Sequence, residues 1–411
     1  MFLTHLTLEH FRNYRSLSHE FSAPFTLIQG RNAQGKTNLL EAVYYLATSK
    51  SSHARTEKEV VGWSAAGEPI PYSRIQGVVR QAAGGVELEV LFTPLGEDGN
   101  FAKQVRVNGV ARRSIDLIGH LRAVLFLPED VVLVTGSPGE RRRYLDVALC
   151  QIDRAYCQHL SRYQKVIAQR NSLLRQLRET NASHRDPGVI AQLRFWDDQL
   201  VEHGAFVLAR RYSFLARLDP TARGLHSELS AGLEHLQLVY RPSFDPGSAG
   251  EPDSRRLAHG DAPRTMDRLP DSPLALDDLR DTFHKKLDSR RRREMAAGVT
   301  LYGPHRDDMA FLVNQRDLRT YGSRGQQRTG ALALKLAEVQ AMTAETGEAP
   351  ILLLDDVMSE LDAQRRATLL AALDGVPQAI ITATDWDDFS PDFRAQAHLL
   401  HVDGGVLSPK E

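Results

Sequence analysis

An α/β fold, split in two by an antiparallel helical hairpin, is what this sequence predicts. Three observations carry the prediction. A strand-like run enters a glycine-rich turn and a helix at residues 23–48; an aliphatic run, ILLLDD, stands far away at 351–356; and helical periodicity fills the chain from Ser137 to Leu218 between them.

Taken in order, MFLTHLTLEHF and APFTLIQG read as strands, the second feeding GRNAQGKTNLLEAVYYLAT. VELEVLF alternates apolar and acidic residues as a half-buried strand does, and VRVNGVAR carries the Asn-Gly pair of a tight hairpin. Ser137, Pro138 and Glu140 form a helix start with a capping box and proline in the first turn. Apolar residues then recur at spacings of three and four from 145 to 177, one long helix or two nearly continuous ones. NASHRDPG breaks the pattern, and a second periodic run follows from 189 to 218; two such helices joined by a short turn make an antiparallel arm. Residues 241–273, rich in Pro, Asp, Gly and Ser, read as a flexible loop. LALDDLRDTFHKKLDSRRRREMAA reads as a helix, acidic at its start and basic at its end, stopped by Gly298. VTLYG and MAFLV read as strands, YGSRGQQRTG opens a helix, and ILLLDD, a helix at AQRRATLLAAL and the strand QAIITAT follow. The expected division is therefore an α/β unit of residues 1–128 plus 299–411 and a helical arm of residues 129–298.

With 25% charged and 42% apolar residues over 411 positions, the chain has the profile of a water-soluble globular protein with room for two or three cored domains. No apolar run reaches membrane-spanning length and the N-terminus lacks the pattern of a secretory signal, so a cytoplasmic protein is expected. The two cysteines, Cys150 and Cys157, read as core thiols. Net charge is −1, so any surface for a polyanion must come from local segregation of charge.

GRNAQGKT matches the phosphate-loop pattern at Gly30, Gly35, Lys36 and Thr37. Backbone amides of residues 33–37 (Ala33, Gln34, Gly35, Lys36 and Thr37) are expected to wrap the β-phosphate of ATP, Lys36 to bridge β- and γ-oxygens, and Thr37 to hold Mg²⁺. ILLLDD reads as a strand buried on both faces of a parallel sheet, with Asp355 ordering magnesium through water and Asp356 polarising the attacking water. YGSRGQQRTG supplies a second phosphate-gripping turn at Ser323, Arg324, Gly325 and Gln326. Its order, after a long insertion and before ILLLDD, resembles the ATP-binding-cassette (ABC-type) ATPases, in which a turn of this kind closes on the γ-phosphate held by a second subunit. The resemblance implies one loop holding ATP in cis, the other reading it in trans, and a homodimer formed when ATP binds.

Longer strings narrow the family. LEHFRNY, GRNAQGKTNLLEAVYYL, SKSSHART, LFLPEDVVLVTGSPGERRRYLD, LYGPHRDDM, YGSRGQQRT and LLLDDVMSELD, in that order, resemble the RecF family of bacterial gap-repair and recombination-mediator ATPases, related to the SMC and double-strand-break repair proteins. That resemblance implies a P-loop ATPase head split by a helical arm, promotion of recombinase loading at gapped DNA, and partners of the RecO and RecR type. It further implies that Arg12 and Asn13 line the nucleotide pocket, that Arg31, Asn32 and Asn38 flank the phosphates, and that Ser359 to Asp362 let the two sites sense each other. Glu129 or Asp130 would take the Q-loop role. Two departures from the cassette pattern, Asp356 where glutamate is usual and Thr384 near the place of a switch histidine, imply slow hydrolysis that acts as a timer.

Nothing resembles a base-reading motif, so contact with single- or double-stranded DNA should go to the backbone and be salt-sensitive. Candidate contacts are Arg141, Arg142, Arg143, Arg154, Arg162, Lys165, Arg170, Arg175 and Arg178, with Arg290 to Arg293. Each is also explained as a solvated helix face or a helix-end charge. His305, Asp307 and Asp308 resemble metal ligands, but without a neighbouring His or Cys they read as a joint between arm and ATPase. The alternative class, the ATPase subunit of a transporter, would need a switch histidine and a Q-loop glutamine. A nuclease-bearing relative would need a further acidic cluster.

Overall fold

The computed structural model describes residues 1–96, 100–245, 275–373 and 375–410. Most of the expected loop at 241–273 lies outside the described residues. Two six-stranded sheets and one three-stranded sheet organise the described residues. The first is antiparallel, in the order Tyr14–Glu20, Phe2–Phe11, Ser73–Gln81, Gly84–Leu95, Asn100–Val107, Val110–Arg112. The second, in the order Val406–Pro409, Ala397–Asp403, Phe25–Gln29, Ala379–Ala383, Ile351–Asp355, Ala123–Phe126, is parallel except for its terminal hairpin.

This parallel sheet is a wall between two cores. Leu352 and Leu354 face the core shared with the helical arm, whereas Ile351 and Leu353 face the core shared with the antiparallel sheet. Leu27 and Ile28, and Ile381 and Ile380, divide in the same way. An aliphatic run with no polar alternation is therefore required here: successive side chains point to opposite faces, and both faces are dry. The helix Lys36–Thr48 lies in the second core through Leu39, Leu40, Val43 and Leu46.

The periodic stretch after Ser137 folds as two helices, Pro138–Ile152 and Arg154–Glu179. Ser137 and Glu140 form the expected capping box. The break falls at Asp153, whose extended backbone ends one helix while its side chain accepts from the Tyr156 amide to cap the next. Asp186 caps a helix of 43 residues, Pro187–Leu229, that continues through Pro220. The helix Leu276–Ala297 ends at Gly298 in the left-handed conformation, as the glycine predicts.

The arm is more than a two-helix hairpin. Arg170, 1% exposed, bonds Asp197 and Glu294 at 2.7 Å each and Thr300 at 2.9 Å, which pins three helices and the following turn together. The segment VTLYG is not a strand. Thr300 N–H donates to Asn171 and Leu301 N–H donates to Glu294, so side chains take the amides that a ladder would use. The strand Asp308–Val313, expected within the α/β unit, pairs instead with Leu236–Arg241 from the arm, and with Arg316–Asp317, in the three-stranded sheet.

Candidate functional site

The strand Phe25–Gln29 delivers the phosphate loop, and two features of the loop explain its glycines. Gly35 has φ +118°, and a Cβ there would lie 2.7 Å from the Asn13 amide. Gly30 is required by close approach: its Cβ would lie 2.6 Å from the Val402 carbonyl oxygen. Ala33 also sits in the left-handed region, at φ +65°, a cost accepted for the shape of the loop. Lys36 is buried, and its Nζ donates to the Gly30 carbonyl at 2.5 Å across the loop. Burial pulls its pKa down, opposed by the charges of Asp356 and Asp355.

Thr37 and Asp355 meet across the sheet, the Thr37 hydroxyl donating to Asp355 Oδ2 at 2.7 Å. Asp355 Oδ1 accepts from the Thr382 hydroxyl, also at 2.7 Å, which fixes the carboxylate plane. Thr382 is Asp355's partner in the parallel register, a pairing hidden from the sequence because registers of separate strands are not encoded locally. Asp356 follows in the left-handed region at φ +50°. Its amide is held by Thr382, while its Oδ1 is buried without a hydrogen-bond partner. Burial raises its pKa, Lys36 opposing and Asp355 reinforcing. A hydroxyl and two carboxylates, one with an unpartnered oxygen and neither assisted by sulfur or imidazole, form a donor set that suits a hard divalent cation.

Other expected pocket residues divide. Asn13 touches the loop, donating to the Gln34 carbonyl and accepting from Asn38, both at 2.8 Å. The Tyr14 hydroxyl donates to the Gly35 carbonyl at 3.0 Å. Arg31 and Asn32 are exposed on the loop. The Arg12 guanidinium is bound bidentately by Glu41 at 2.8 Å and donates to the Glu59 carbonyl at 2.7 Å. Buried Glu41 also accepts from Ser51, so this cluster braces the helix behind the loop rather than the loop itself.

Ser323 caps the helix Arg324–Thr346 with a reciprocal box, its side chain accepting from the Gln326 amide and the Gln326 side chain accepting from the Ser323 amide. Gln326 also donates to Glu234 at 2.7 Å, and buried Gln327 gathers the carbonyls of Leu318 and Gly322. Ser323 and Arg324 are exposed, and Gly325 is half-buried. Among the described residues, none of these side chains bonds to the phosphate loop of the same chain. Arg328 pairs with Glu360 at 2.5 Å, tying this helix to the turn after Asp356. Ser359 donates to the Asp356 carbonyl and Asp362 pairs with Arg365. The Thr384 carbonyl accepts from Gln29, whose own Oε1 bonds His401 at 2.8 Å.

Glu129 is exposed, while Asp130 accepts from the Leu127 amide and faces a buried charge cluster. Lys335 on the Ser323 helix pairs with Glu338 at 3.3 Å and lies over the Tyr144 ring at 5.3 Å. Burial lifts the Asp130 pKa to about 6, with Lys335 opposing. Residues from the 128–131 turn, the Ser323 helix and the first arm helix thus share one dry junction.

Several candidate basic residues are committed internally. Arg141 is bidentate to Asp308 at 2.7 and 2.9 Å, Arg142 donates to the Asp307 carbonyl, Arg143 to the Ser51 carbonyl, and Arg178 to the Ala297 carbonyl. Arg162, Lys165, Arg175, Arg290, Arg292 and Arg293 are exposed, and Arg154 pairs with Asp116 but remains 64% exposed. His305 and Asp307 are likewise used structurally, bonding Tyr163 at 2.8 Å and Tyr240 at 2.9 Å. The described residues hold no group of three or more His, Cys, Asp or Glu side chains arranged for a metal, and none of their helices is long and apolar enough to cross a membrane. Cys150 and Cys157 are free thiols.

Comparison with known proteins agrees with these strings. The family described as the RecF/RecN/SMC N terminal domain matches residues 2–395. The chain is similar to the DNA replication and repair protein RecF of Chloroflexus aurantiacus, at 45% identity with 99% of each chain covered. It is similar to that of Herpetosiphon aurantiacus at 42% identity with both chains wholly covered. Among solved structures, the recombination mediator protein RecF with ATP, in the RecFOR pathway, superposes with TM-score 0.81 at 31% identity, covering 100% of this chain and 98% of that one. An Smc head domain from Pyrococcus furiosus (TM-score 0.51, 16% identity, covering 99% and 95%) shares the fold.

Proposed function

The chain belongs to the RecF family, and from that membership we propose that it is an ATP-dependent DNA-binding protein of replication and recombinational repair, working in the cytoplasm. ATP draws two copies together around DNA at a gap, the dimer promotes recombinase loading with mediators of the RecO and RecR type, and slow hydrolysis to ADP and phosphate releases it. In this reading residues 1–128 and 299–411 form the ATPase head and 129–298 the arm, stitched to the head by the strand pair Leu236–Arg241 and Asp308–Val313.

The observation that carries the reading is a division of labour. Thr37 and Asp355, from opposite ends of the chain, are joined at 2.7 Å beside buried Lys36. The second phosphate-gripping turn, at Ser323, is exposed and directed to other partners in its own chain. Lys36 and the loop amides hold the β- and γ-phosphates, with Asn13, Asn32 and Asn38 beside them. Thr37 and Asp355 would hold Mg²⁺, which would supply neutralisation of the phosphate charge. Asp356 orients the attacking water, and Ser323, Gly325 and Gln326 close on the nucleotide of the second copy.

Magnitudes support ATP as the control of association. A hydrogen bond to a charged group contributes about 1.5–3 kcal/mol. Two nucleotides, each read by two donors, would place about 6–12 kcal/mol under the control of the γ-phosphates, the range of a micromolar or tighter interface. On the DNA side, Arg154, Arg162, Lys165 and Arg175 keep exposed heads on one arm helix and are the contacts this reading favours.

Sizing in solution with and without ATP tests it. Wild type should shift from monomer to dimer with ATP, and Ser323→Arg should bind ATP yet stay monomeric. Lys36→Arg should retain nucleotide without hydrolysing it. Normal dimerisation by Ser323→Arg would overturn the trans assignment.

A further inference from the structure

The last hairpin of the chain, Ala397–Asp403 and Val406–Pro409, carries no motif and has no part in the chemistry assigned above. Its turn nonetheless grips the phosphate loop. The Gly404 amide donates to Gln34 Oε1 at 2.7 Å, and the Gly405 amide donates to the Gln34 carbonyl at 3.0 Å. That same carbonyl accepts from Asn13 Nδ2 at 2.8 Å, so one peptide oxygen is held from two sides.

Packing is as tight as the bonding. A Cβ on Gly405 would lie 2.5 Å from the Asn13 carbonyl oxygen, and one on Gly30 2.6 Å from that of Val402. Both turn residues are in the left-handed region, φ +55° and +82°, where only glycine sits without strain. The hairpin also reaches the loop after Ala379–Ala383: His401 bonds Gln29, which bonds the Thr384 carbonyl, and Lys410 lies over the Trp386 ring at 4.6 Å.

We propose that the Gly404–Gly405 turn is a positioning element for the phosphate loop, a latch that holds Gln34, and through it the amides from Ala33 to Thr37, in the shape that receives a triphosphate. A phosphate loop binds through several amides converging on one anion, so its affinity depends on how much of that convergence exists beforehand. Linkage is reciprocal: if the latch shapes the loop for nucleotide, nucleotide must tighten the latch. Gly404, Gly405 and the side chain of Gln34 act through the loop and are positioning groups, not catalytic ones, whereas the Gln34 amide is itself one of the loop donors. This inference rests on the nucleotide reading of Lys36 and its loop.

The test uses the full-length protein, with ATP binding measured by calorimetry and amide exchange followed with and without ATP. ATP should slow exchange of the Gly404 and Gly405 amides, which a merely structural hairpin would not show. Gly405→Ala should weaken ATP binding at least about tenfold. Gln34→Ala, which removes the acceptor of the Gly404 amide together with a long 3.5 Å contact to the Asn32 carbonyl and adds no bulk, should weaken it about threefold with an unchanged melting temperature in the absence of nucleotide. Lys36→Ala separates the two levels. If wild type binds ATP and Lys36→Ala does not, but Gln34→Ala binds as wild type and the hairpin amides ignore ATP, the latch is wrong and the nucleotide reading stands. If Lys36→Ala binds ATP as wild type does, the nucleotide reading itself falls. Should Gly405→Ala fail to fold, Gln34→Ala and the exchange data decide alone.

Discussion

Thr37 and Asp355 stand 318 positions apart in sequence and 2.7 Å apart in space, so the first and last thirds of the chain share one polar contact at the heart of the site. Replacing Asp355 by Asn keeps the shape and removes the charge. If Asp355 holds the metal as proposed, ATP hydrolysis should fall by at least about a hundredfold. Steady-state phosphate release measures this; an unchanged rate would remove Asp355 from the metal site.

If Asp356 orients the attacking water as proposed, it does so as its carboxylate, and burial raises its pKa. Hydrolysis should therefore decline on acidification at a higher pH than an ordinary aspartate would give. Asp356→Asn should abolish hydrolysis while the ATP-bound dimer persists. A dimer that still dissociates at the wild-type rate would show that cleavage is not the release step.

Asp130 offers a stability test with a defined sign. Its folded pKa of about 6 lies above its usual value of 3.8, so the folded state binds the extra proton and stability falls as pH rises through that window. Above it the charged form costs at most about 3 kcal/mol. Asp130→Asn should raise the melting temperature at pH 8 and change it little at pH 4.5. Equal gains at both pH values would refute the assignment.

Lys335 neutralises Glu338 in a dry junction. Lys335→Met should destabilise by about 3–5 kcal/mol, because it strands a buried charge, whereas Lys335→Met with Glu338→Gln should recover much of the loss. Urea unfolding of the two variants distinguishes the cases; equal losses would mean that the pair is not coupled.

The arm's basic residues should behave as two classes. Arg141→Ala, which breaks a buried bidentate pair, should lower stability. Arg162→Ala and Lys165→Ala should leave stability unchanged and each reduce the slope of log K for duplex DNA against log salt by about 1. A wild-type slope near zero would dismiss backbone contact altogether.

How much could be read beforehand depended on whether a feature is local. The helix start behind the glycine-rich loop, the capping box at Ser137 and the stop at Gly298 are each fixed by residues a few positions apart, and these elements stand where the sequence puts them. The strand 351–355 was legible because burial on both faces leaves an unbroken aliphatic run. What escaped depends on register and on long-range bonds. Thr382 opposite Asp355, the grip of Gly404 and Gly405 on Gln34, and the capture of Arg12 by Glu41 leave no trace in spacing. VTLYG misled because its β-propensity yielded to side-chain bonds from Asn171 and Glu294.

The strand Asp308–Val313 has a practical consequence for anyone trimming this protein. Joining residue 128 to residue 299 would strip away Leu236–Arg241, and with it six backbone pairings. The orphaned edge would display Met309, Phe311 and Val313, all buried in the intact chain, to any passing neighbour. A miniature version that stays in solution must carry that short ribbon along, spliced back as a hairpin.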